Sequence, residues 1–223
     1  MVVGKKIEAD VGQFKCPNMS LHTGYKIPEI LIKRFIELLK PMYNVLEGKH
    51  TSNSIPDTSL EAILVNYSSK EAFDAAEKTR LLQKAIEAAM GYFHQDLAGS
   101  FPGWKVMKNG TDTNSMDVVK EDGSEVMEVK NKHNTMNSGS IKSVKENLTK
   151  AHAEGKKAIL AQIQCGDKKP PRHGLPPEIV VMNGQQMYEY LSGRPTFFND
   201  LNETLAFTFK NFKTYEALLQ GSA

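Results

Sequence analysis

The chain has 223 residues, of which 40% are hydrophobic and 24% are charged, and a formal net charge of +2. This is enough apolar sequence for one sizeable core, and so small a net charge does not by itself indicate an acidic or a basic partner. No apolar run approaches the length of a membrane span, the N-terminus lacks the apolar centre of a signal peptide, and Cys16 and Cys165 are too few for a disulfide framework or a zinc site. We therefore expect a cytoplasmic protein without a membrane partner.

The first third of the chain is predicted to be helical. Residues 1–27 show little periodicity, but apolar residues recur at helical spacing from Pro28, and Pro41 is expected to end or kink that helix. A short second helix runs from about Thr58 to Tyr67. These elements precede the region that carries the candidate chemistry.

The longest predicted helix runs from Ser69 to about Leu97 and is rich in alanine. Glycines and a proline end it, and residues 104–108 are predicted to form the first strand of a sheet. We expect residues 1–68 to be a helical arm that packs on a core formed by residues 69–223, with both parts in one compact domain.

A β-hairpin is predicted immediately after that strand. Residues 116–120 and 125–130 are short runs rich in valine and methionine, and Asp122-Gly123 between them is the strongest short-range signal for a two-residue type I′ turn. Such a turn fixes the register, and it places Asp117 directly opposite Glu128. The register pairs Val119 with Val126, Val118 with Met127 and Asp117 with Glu128.

The hairpin brings two acids and an amine to one face. Side chains alternate along a strand, so Lys130 shares the face of Glu128. Directly opposed carboxylates repel each other unless something neutralises them, and a divalent cation such as Mg²⁺ would do so. The opposite, apolar face is predicted to consist of Met116, Val118, Met127 and Val129.

Alternating helices and strands are predicted for the rest of the chain. After a polar segment that follows Lys130, the patterns indicate an α/β protein. The predicted elements are a helix from near Ser140 to Gly155, a buried strand at 156–165, a strand at 178–184, a helix ending at Gly193, and a closing helix to Gln220.

The acids and the lysine give the hairpin a resemblance to the PD-(D/E)xK nucleases, whose signature is an Asp on one strand and (Asp/Glu)-x-Lys on the next. The match here is Asp117 followed by Glu128-Val129-Lys130, with Met116 where a proline can stand. Other tripeptides of this form occur in the chain, but they lie beside glycine or in a charged loop, without an opposed acid.

This resemblance implies a restriction-endonuclease-like αβββαβ core, with a mixed sheet flanked by helices and N-terminal helical additions. It implies that Asp117, Glu128 and the backbone carbonyl of Val129 hold Mg²⁺, for which Mn²⁺ substitutes, and that Glu87 adds a further acid. Asp117, Glu128 and Lys130 are then the catalytic residues, and Lys130 positions the attacking water.

A narrower resemblance rests on residues 128–138, EVKNKHNTMNS, which are similar to type II restriction endonucleases that cut GGNCC. It implies site-specific hydrolysis of double-stranded DNA at a short GC-rich palindrome, with 5′ phosphates on the products. It also implies a homodimer in the prokaryotic cytoplasm and a companion DNA methyltransferase.

The segment after the catalytic strand is rich in side chains that can contact phosphates or base edges. A second basic cluster lies in the loop at 166–174. Arg172 and Lys132 are candidate guanine readers. The predicted DNA-binding residues are Asn131, Lys132, His133, Asn134, Thr135, Asn137, Lys168, Lys169 and Arg172.

Three other interpretations stay open. The chain is a different PD-(D/E)xK nuclease that repairs DNA or resolves junctions, or it is a DNA-binding module with an inactive centre. In the third, the hairpin is an ordinary surface element whose acids are solvated. Cleavage of plasmid DNA distinguishes all three from a restriction enzyme.

Overall fold

The computed structural model describes residues 20–49, 57–107, 116–165 and 169–222. Most of residues 1–27, including Cys16, lies outside these ranges, as does Lys168. None of the helices within these ranges is long and apolar enough to cross a membrane. The division of the chain into two parts at residue 68 stays a prediction.

A five-stranded mixed sheet lies at the centre of the fold. The strands are β1 (Trp104–Val106), β2 (Val118–Lys120), β3 (Glu125–Lys132), β4 (Lys157–Gln164) and β5 (Val180–Asn183). They lie side by side in chain order. The pairs β1–β2 and β2–β3 are antiparallel, whereas the pairs β3–β4 and β4–β5 are parallel.

Helices cover the sheet on both faces. They are α1 (Ile32–Leu46), α2 (Thr58–Tyr67), α3 (Lys70–Ala98), α4 (Ser138–Ala153), α5 (Gly184–Ser192), α6 (Phe197–Asn211) and α7 (Tyr215–Gln220). The order α3, β1, β2, β3, α4, β4 is the predicted αβββαβ series. The predicted α/β fold class, with N-terminal helices added to the core, is therefore confirmed.

Pro41 does not end α1, because the helix continues to Leu46. A proline inside a helix removes one backbone hydrogen bond, so other interactions must hold the following turn. Met42 and Tyr43 are buried there, and the Tyr43 hydroxyl donates to the Phe212 carbonyl at 2.7 Å. Burial of the turn after the proline accounts for the continued helix.

The hairpin has the predicted register but not the predicted turn. Val118 pairs with Met127 and Val119 with Val126. Among the described non-glycine residues only His173 has a positive φ, whereas a type I′ turn requires positive φ at both central residues. Instead the Gly123 N–H donates to the Lys120 carbonyl and Gly123 itself has a φ of +75°. The four-residue loop at 121–124 adds one residue to each side, so the register is unchanged.

The core is divided by the sheet into two apolar layers. Val118, Met127 and Val129 belong to the larger layer, which packs against α1, α3, α5 and α6. The smaller layer lies under α4 and contains Val126, Leu148 and Leu160. The face of β3 that carries Glu128 and Lys130 therefore points toward α4.

Met116 lies in the smaller layer, with Val126, and the prediction that it shares a face with Val118 was wrong. Regular pairing of β2 begins only at Val118, and Asp117 lies in a bend. Strand alternation therefore does not extend to Met116, and its side chain turns under α4.

The C-terminal tail is two helices rather than the single closing helix that was predicted. The first, α6, ends at Asn211, and Thr214 begins α7 by accepting a hydrogen bond from the Ala217 N–H at 3.1 Å. Phe212, between them, is buried. The break lets the chain turn back so that Leu218 can also reach the core.

His94 is expected to stay neutral well below pH 6. It is buried in α3, its Nδ1 lies 2.8 Å from the Tyr188 hydroxyl, and burial lowers its pKa to about 4. Its contribution to stability is complete above the unfolded pKa of 6.5 and is lost as the pH falls through about 4. NMR of the ring protons should show no titration of His94 between about pH 8 and about pH 5.5. A midpoint near the unfolded value would contradict this burial.

Candidate active site

Asp117, Glu128 and Lys130 lie together in a cleft of about 590 Å³ between α3 and α4. Asp117 comes from the bend before β2, and Glu128 and Lys130 from the same face of β3. Helix α3 contributes Ala88, Gly91, Tyr92 and Gln95 to the wall, and α4 contributes Ser140, Ser143, Val144 and Asn147. The three side chains that the sequence singled out thus share one concave site.

The three charged groups are in direct or near contact. The Lys130 ammonium contacts Glu128 Oε1 and lies 3.9 Å from Asp117 Oδ2. Asp117 Oδ2 also accepts a hydrogen bond from the Val129 N–H at 2.8 Å, which fixes the carboxylate against β3. The side chains of Asp117, Glu128 and Lys130 are only 12%, 8% and 24% exposed. They are therefore oriented by the protein and not by solvent.

Burial makes negative charge unfavourable at both acids. Burial raises the pKa of Asp117, although Lys130 and the hydrogen bonds to the carboxylate oppose the shift. Burial, together with repulsion by Asp117, raises the pKa of Glu128 to about 7. For Lys130, burial lowers the pKa but the two carboxylates more than offset it, so the net shift is upward. Lys130 is therefore cationic. Its single positive charge cannot balance two ionised carboxylates, so the acid pair needs a further positive charge to ionise fully.

Gln95, which was not predicted from the sequence, is the polar residue that α3 contributes beside Asp117. Its side-chain amide hydrogen-bonds to the Asp117 carboxylate and lines the cleft. Gln95 follows Gly91 by one helical turn, so helical periodicity could have placed it on the cleft side. It was missed because an acid, and not an amide, was sought on this helix.

Glu87, the predicted additional acid, does not line the cleft. Its carboxylate accepts hydrogen bonds from Lys132 Nζ at 2.6 Å and from Gln83 Nε2 at 3.0 Å. The hydrogen bond from Lys132 is the largest of the effects that lower the Glu87 pKa. Within the described ranges, no third carboxylate, histidine or cysteine joins Asp117 and Glu128 in a metal-binding cluster.

The sequence profile of the Eco47II restriction endonuclease family matches residues 26–212. The chain belongs to this family. It is 26% identical to the type II restriction enzyme Eco47II of Escherichia coli over 193 residues, which cover 78% of this chain and 80% of that enzyme. It is 27% identical to the type II restriction enzyme Sau96I of Staphylococcus aureus over 156 residues, which cover 61% and 58%.

Membership of the Eco47II family confirms the predicted resemblance to type II restriction endonucleases. The matched residues run from before α1 to the end of α6, and they include every residue that lines the cleft. This member of the family is therefore a restriction endonuclease, and enzymes of this class generally use divalent metal ions.

In this Eco47II-family chain, the predicted DNA-contacting residues nearest the site lie partly inside β3. The strand continues to Lys132, so Asn131 and Lys132 are in the sheet rather than in a loop. Lys132 pairs with Glu87, and Asn131 Nδ2 donates to the Glu87 carbonyl at 3.4 Å. Both side chains therefore hold β3 against α3.

The next predicted contacts form the turn between β3 and α4. Thr135 Oγ1 donates to the Lys132 carbonyl at 2.8 Å. The backbone N–H of His133 donates to the Gln164 carbonyl at 3.2 Å, and the ring Nδ1 of His133 lies 3.1 Å from the same oxygen. Asn137 caps α4 by accepting from the Ser140 N–H at 2.9 Å. Asn134 is exposed. Most of these side chains thus have a structural role in the turn.

Arg172 and Lys169 are both exposed, but Arg172 also has a structural role in its loop. The Arg172 guanidinium donates through one nitrogen to the carbonyls of Pro176, at 2.6 Å, and Ile179, at 2.8 Å. This loop follows β4, and residues 131–135 follow the site on β3. Because β3 and β4 are parallel, both segments lie at the same edge of the sheet.

Arg172→Ala is expected to lower the free energy of unfolding by about 1–2 kcal/mol, because two backbone carbonyls lose a charged donor. Denaturant titration measures this, with Lys169→Ala as the matched control for removing a nearby exposed cation. DNA cleavage by the same variant tests base reading. An unchanged cleavage rate and site preference would remove Arg172 from the guanine-reading candidates.

Proposed function

We propose that this protein hydrolyses both strands of DNA at a short specific site, using a divalent cation held by Asp117 and Glu128. The observation that carries the proposal is the pair of buried acids beside Lys130 in a cleft that is open to solvent. Mg²⁺ is the proposed ion, with Mn²⁺ as a substitute, because hard oxygen ligands suit both.

The chemistry of the donor groups fits such an ion. Mg²⁺ is usually held by one or two carboxylates together with water and substrate phosphate, so a third protein carboxylate is not required. The N–H and C=O of one strand residue point to the same edge of the strand. Since the Val129 N–H bonds to Asp117, the Val129 carbonyl is on the Asp117 side and is a suitable third ligand.

The protein groups support an in-line attack of water on phosphorus. The bound cation would supply Lewis-acid stabilisation of the phosphate charge and lower the pKa of water. Lys130 lies beside both acids, so its ammonium can orient the attacking water and offset negative charge that develops on the phosphate. Gln95 holds Asp117 in place through its amide. Water adds to phosphorus, the bond to the 3′ oxygen breaks, and that oxygen takes a proton, which leaves a 5′ phosphate and a 3′ hydroxyl.

Cutting both strands at a palindrome is most simply done by two identical sites related by a two-fold axis, so we infer a homodimer. A GC-rich site requires guanine readers. Lys132 and Arg172 can serve only if DNA replaces their present contacts with Glu87 and with the loop carbonyls. A companion methyltransferase that protects the same site in the prokaryotic cytoplasm completes the proposal.

Digestion of plasmid DNA tests this function. With Mg²⁺ present, discrete fragments are expected, and sequencing their ends gives the site and the position of the phosphate. Nicking confined to branched DNA would favour a junction-resolving nuclease. Intact plasmid that is nevertheless retarded in a gel, with either Mg²⁺ or Mn²⁺, would favour a DNA-binding module without activity.

A further inference from the structure

A second groove adjoins the catalytic cleft along α3. It lies between α1 and α3 and has a volume of about 510 Å³. Ala88 and Tyr92 line both this groove and the cleft that contains Asp117 and Glu128. The two depressions therefore adjoin each other at Ala88 and Tyr92, and the second one is here called the α1–α3 groove.

The α1–α3 groove carries positive charge. Lys40, Lys49 and Lys84 line it and all three are exposed. None of the described residues that line it is acidic. Lys49 contacts Glu47, whose side chain is only 14% exposed, and Lys84 interacts electrostatically with Glu77, so part of this charge is balanced by acids that do not line the groove. The groove is therefore complementary to a chain of negative charges.

Neither the backbone conformation nor the packing at position 91 requires a glycine. It lies in the middle of α3, where glycine is among the least favourable residues, and its φ is not positive. A Cβ added there would meet nothing within 4 Å, so no neighbouring part of the protein excludes a side chain. Gly91 lines the same cleft as Asp117 and Glu128. A helix surface that is bare at this point admits a ligand backbone closely.

The dimensions suit a nucleic-acid strand. Successive turns of α3 place Lys84, Ala88 and Tyr92 along the groove. The next turn carries Gln95, which lines the cleft with Asp117. At 1.5 Å per residue, Lys84 lies about 16 Å along the helix from Gln95, which several consecutive phosphates of one strand would span. Tyr92 is 57% exposed between the two depressions and offers an aromatic face to a sugar or base.

We propose that one strand of the DNA duplex leaves the catalytic cleft through the α1–α3 groove, with its phosphates on Lys40, Lys49 and Lys84 and its backbone passing close to Gly91. This inference rests on the proposed function, since it takes the cleft as the place of the scissile phosphate. It assigns to the N-terminal helix α1 a direct part in DNA binding.

The charge of the groove is tested with a fluorescent DNA duplex of mixed sequence, in EDTA, in a Glu128→Gln background that cannot hold the proposed ion. The triple variant Lys40→Ala, Lys49→Ala, Lys84→Ala should bind more weakly. The slope of log affinity against log salt should become less steep by about 0.9 for each phosphate that is no longer neutralised, or about 2–3 in all. Lys210→Ala, a lysine of α6 outside the groove, should change neither quantity. Equal slopes for the triple variant and its parent would overturn the proposal.

The close approach at Gly91 is tested by Gly91→Ala in the same background. Because alanine is the better helix former and the added methyl meets no protein atom, the variant should unfold at the same or a higher temperature. It should nevertheless bind the duplex more weakly. Thr79→Ala, an exposed position about three turns earlier in α3, should also favour the helix but leave binding unchanged. Unchanged or tighter binding by Gly91→Ala would remove Gly91 from the strand path.

These measurements are independent of cleavage. If the wild-type chain never cuts plasmid while the groove variants bind the duplex more weakly, the proposed function is overturned and the groove is supported. If the three lysine substitutions leave plasmid cutting normal in the protein that keeps Glu128, and leave duplex binding normal in the Glu128→Gln background, the groove is overturned and the proposed function stands.

Discussion

Replacing Asp117 with asparagine is expected to reduce DNA cleavage by roughly 10²–10⁴-fold. The substitution keeps the shape of the side chain and leaves an oxygen that can still accept the Val129 N–H. It removes the negative charge that we propose as one half of the cation site. The rate of plasmid linearisation at saturating Mg²⁺ measures the effect, and a denaturation curve shows whether the fold is intact.

The hairpin offers a matched control in Asp122→Asn. Asp122 lies five residues further along, is exposed in the turn, and accepts hydrogen bonds from Ser124. Cleavage by this variant should equal that of the wild type. If Asp117→Asn cut DNA at the rate of Asp122→Asn, the assignment of a catalytic role to the acid pair would be wrong.

Replacing Glu128 with glutamine is expected to abolish cleavage and to make the metal-free protein more stable at alkaline pH. Burial and the neighbouring Asp117 raise the Glu128 pKa to about 7, so the ionised carboxylate is unfavourable in the folded state. A shift of this size corresponds to about 3 kcal/mol at most, and removing the ion pair with Lys130 reduces the gain. We expect an increase of about 1–3 kcal/mol in the free energy of unfolding at about pH 8.

The sign of the pH dependence follows from the raised pKa. The contribution of Glu128 to stability is complete below the unfolded value of 4.5 and is lost as the pH rises through about 7. Glutamine does not titrate. The advantage of the variant should therefore be large above about pH 7 and should shrink as the pH falls toward 4.5.

Denaturant unfolding in EDTA at several pH values measures this difference, and Glu146→Gln, an exposed acid of α4, should show no comparable gain. Added Mg²⁺ should reverse the ranking, because it stabilises only the protein that can bind it. The same stability for wild type and Glu128→Gln at all pH values would contradict the burial of this carboxylate.

The hairpin illustrates what could be predicted from the sequence. An Asp-Gly pair between two apolar runs determined the register correctly, although the turn itself differs. The error had no consequence for pairing, because the longer loop is symmetric about the same centre. Asp122 bonds Ser124 and keeps an ordinary φ, which is a local side-chain effect that the dipeptide signal does not contain. The convergence of Asp117, Glu128 and Lys130 followed from the register alone.

The surroundings of the acids could not be predicted in the same way. Gln95 reaches Asp117 because α3 packs across the sheet at a particular rotation, which a single sequence does not specify. The same rotation takes Glu87 out of the cleft and brings it to Lys132. Met116 faces α4 because the strand begins later than its apolar pattern indicated. These differences concern how elements are placed against each other and not what the elements are.

Only ten residues, which include one short loop, lie between Asp117 and Glu128, whereas the next strand pairing, between Glu128 and Leu160, spans a whole crossover helix. Contacts between residues near in sequence close faster than distant ones, so we expect the repelling carboxylates to meet early, before β4 docks. The parallel pairing of β3 with β4 forms later, and it must stabilise a hairpin in which Asp117 and Glu128 repel each other. A change that weakens β4 should for this reason slow folding of the whole chain more at alkaline than at acidic pH.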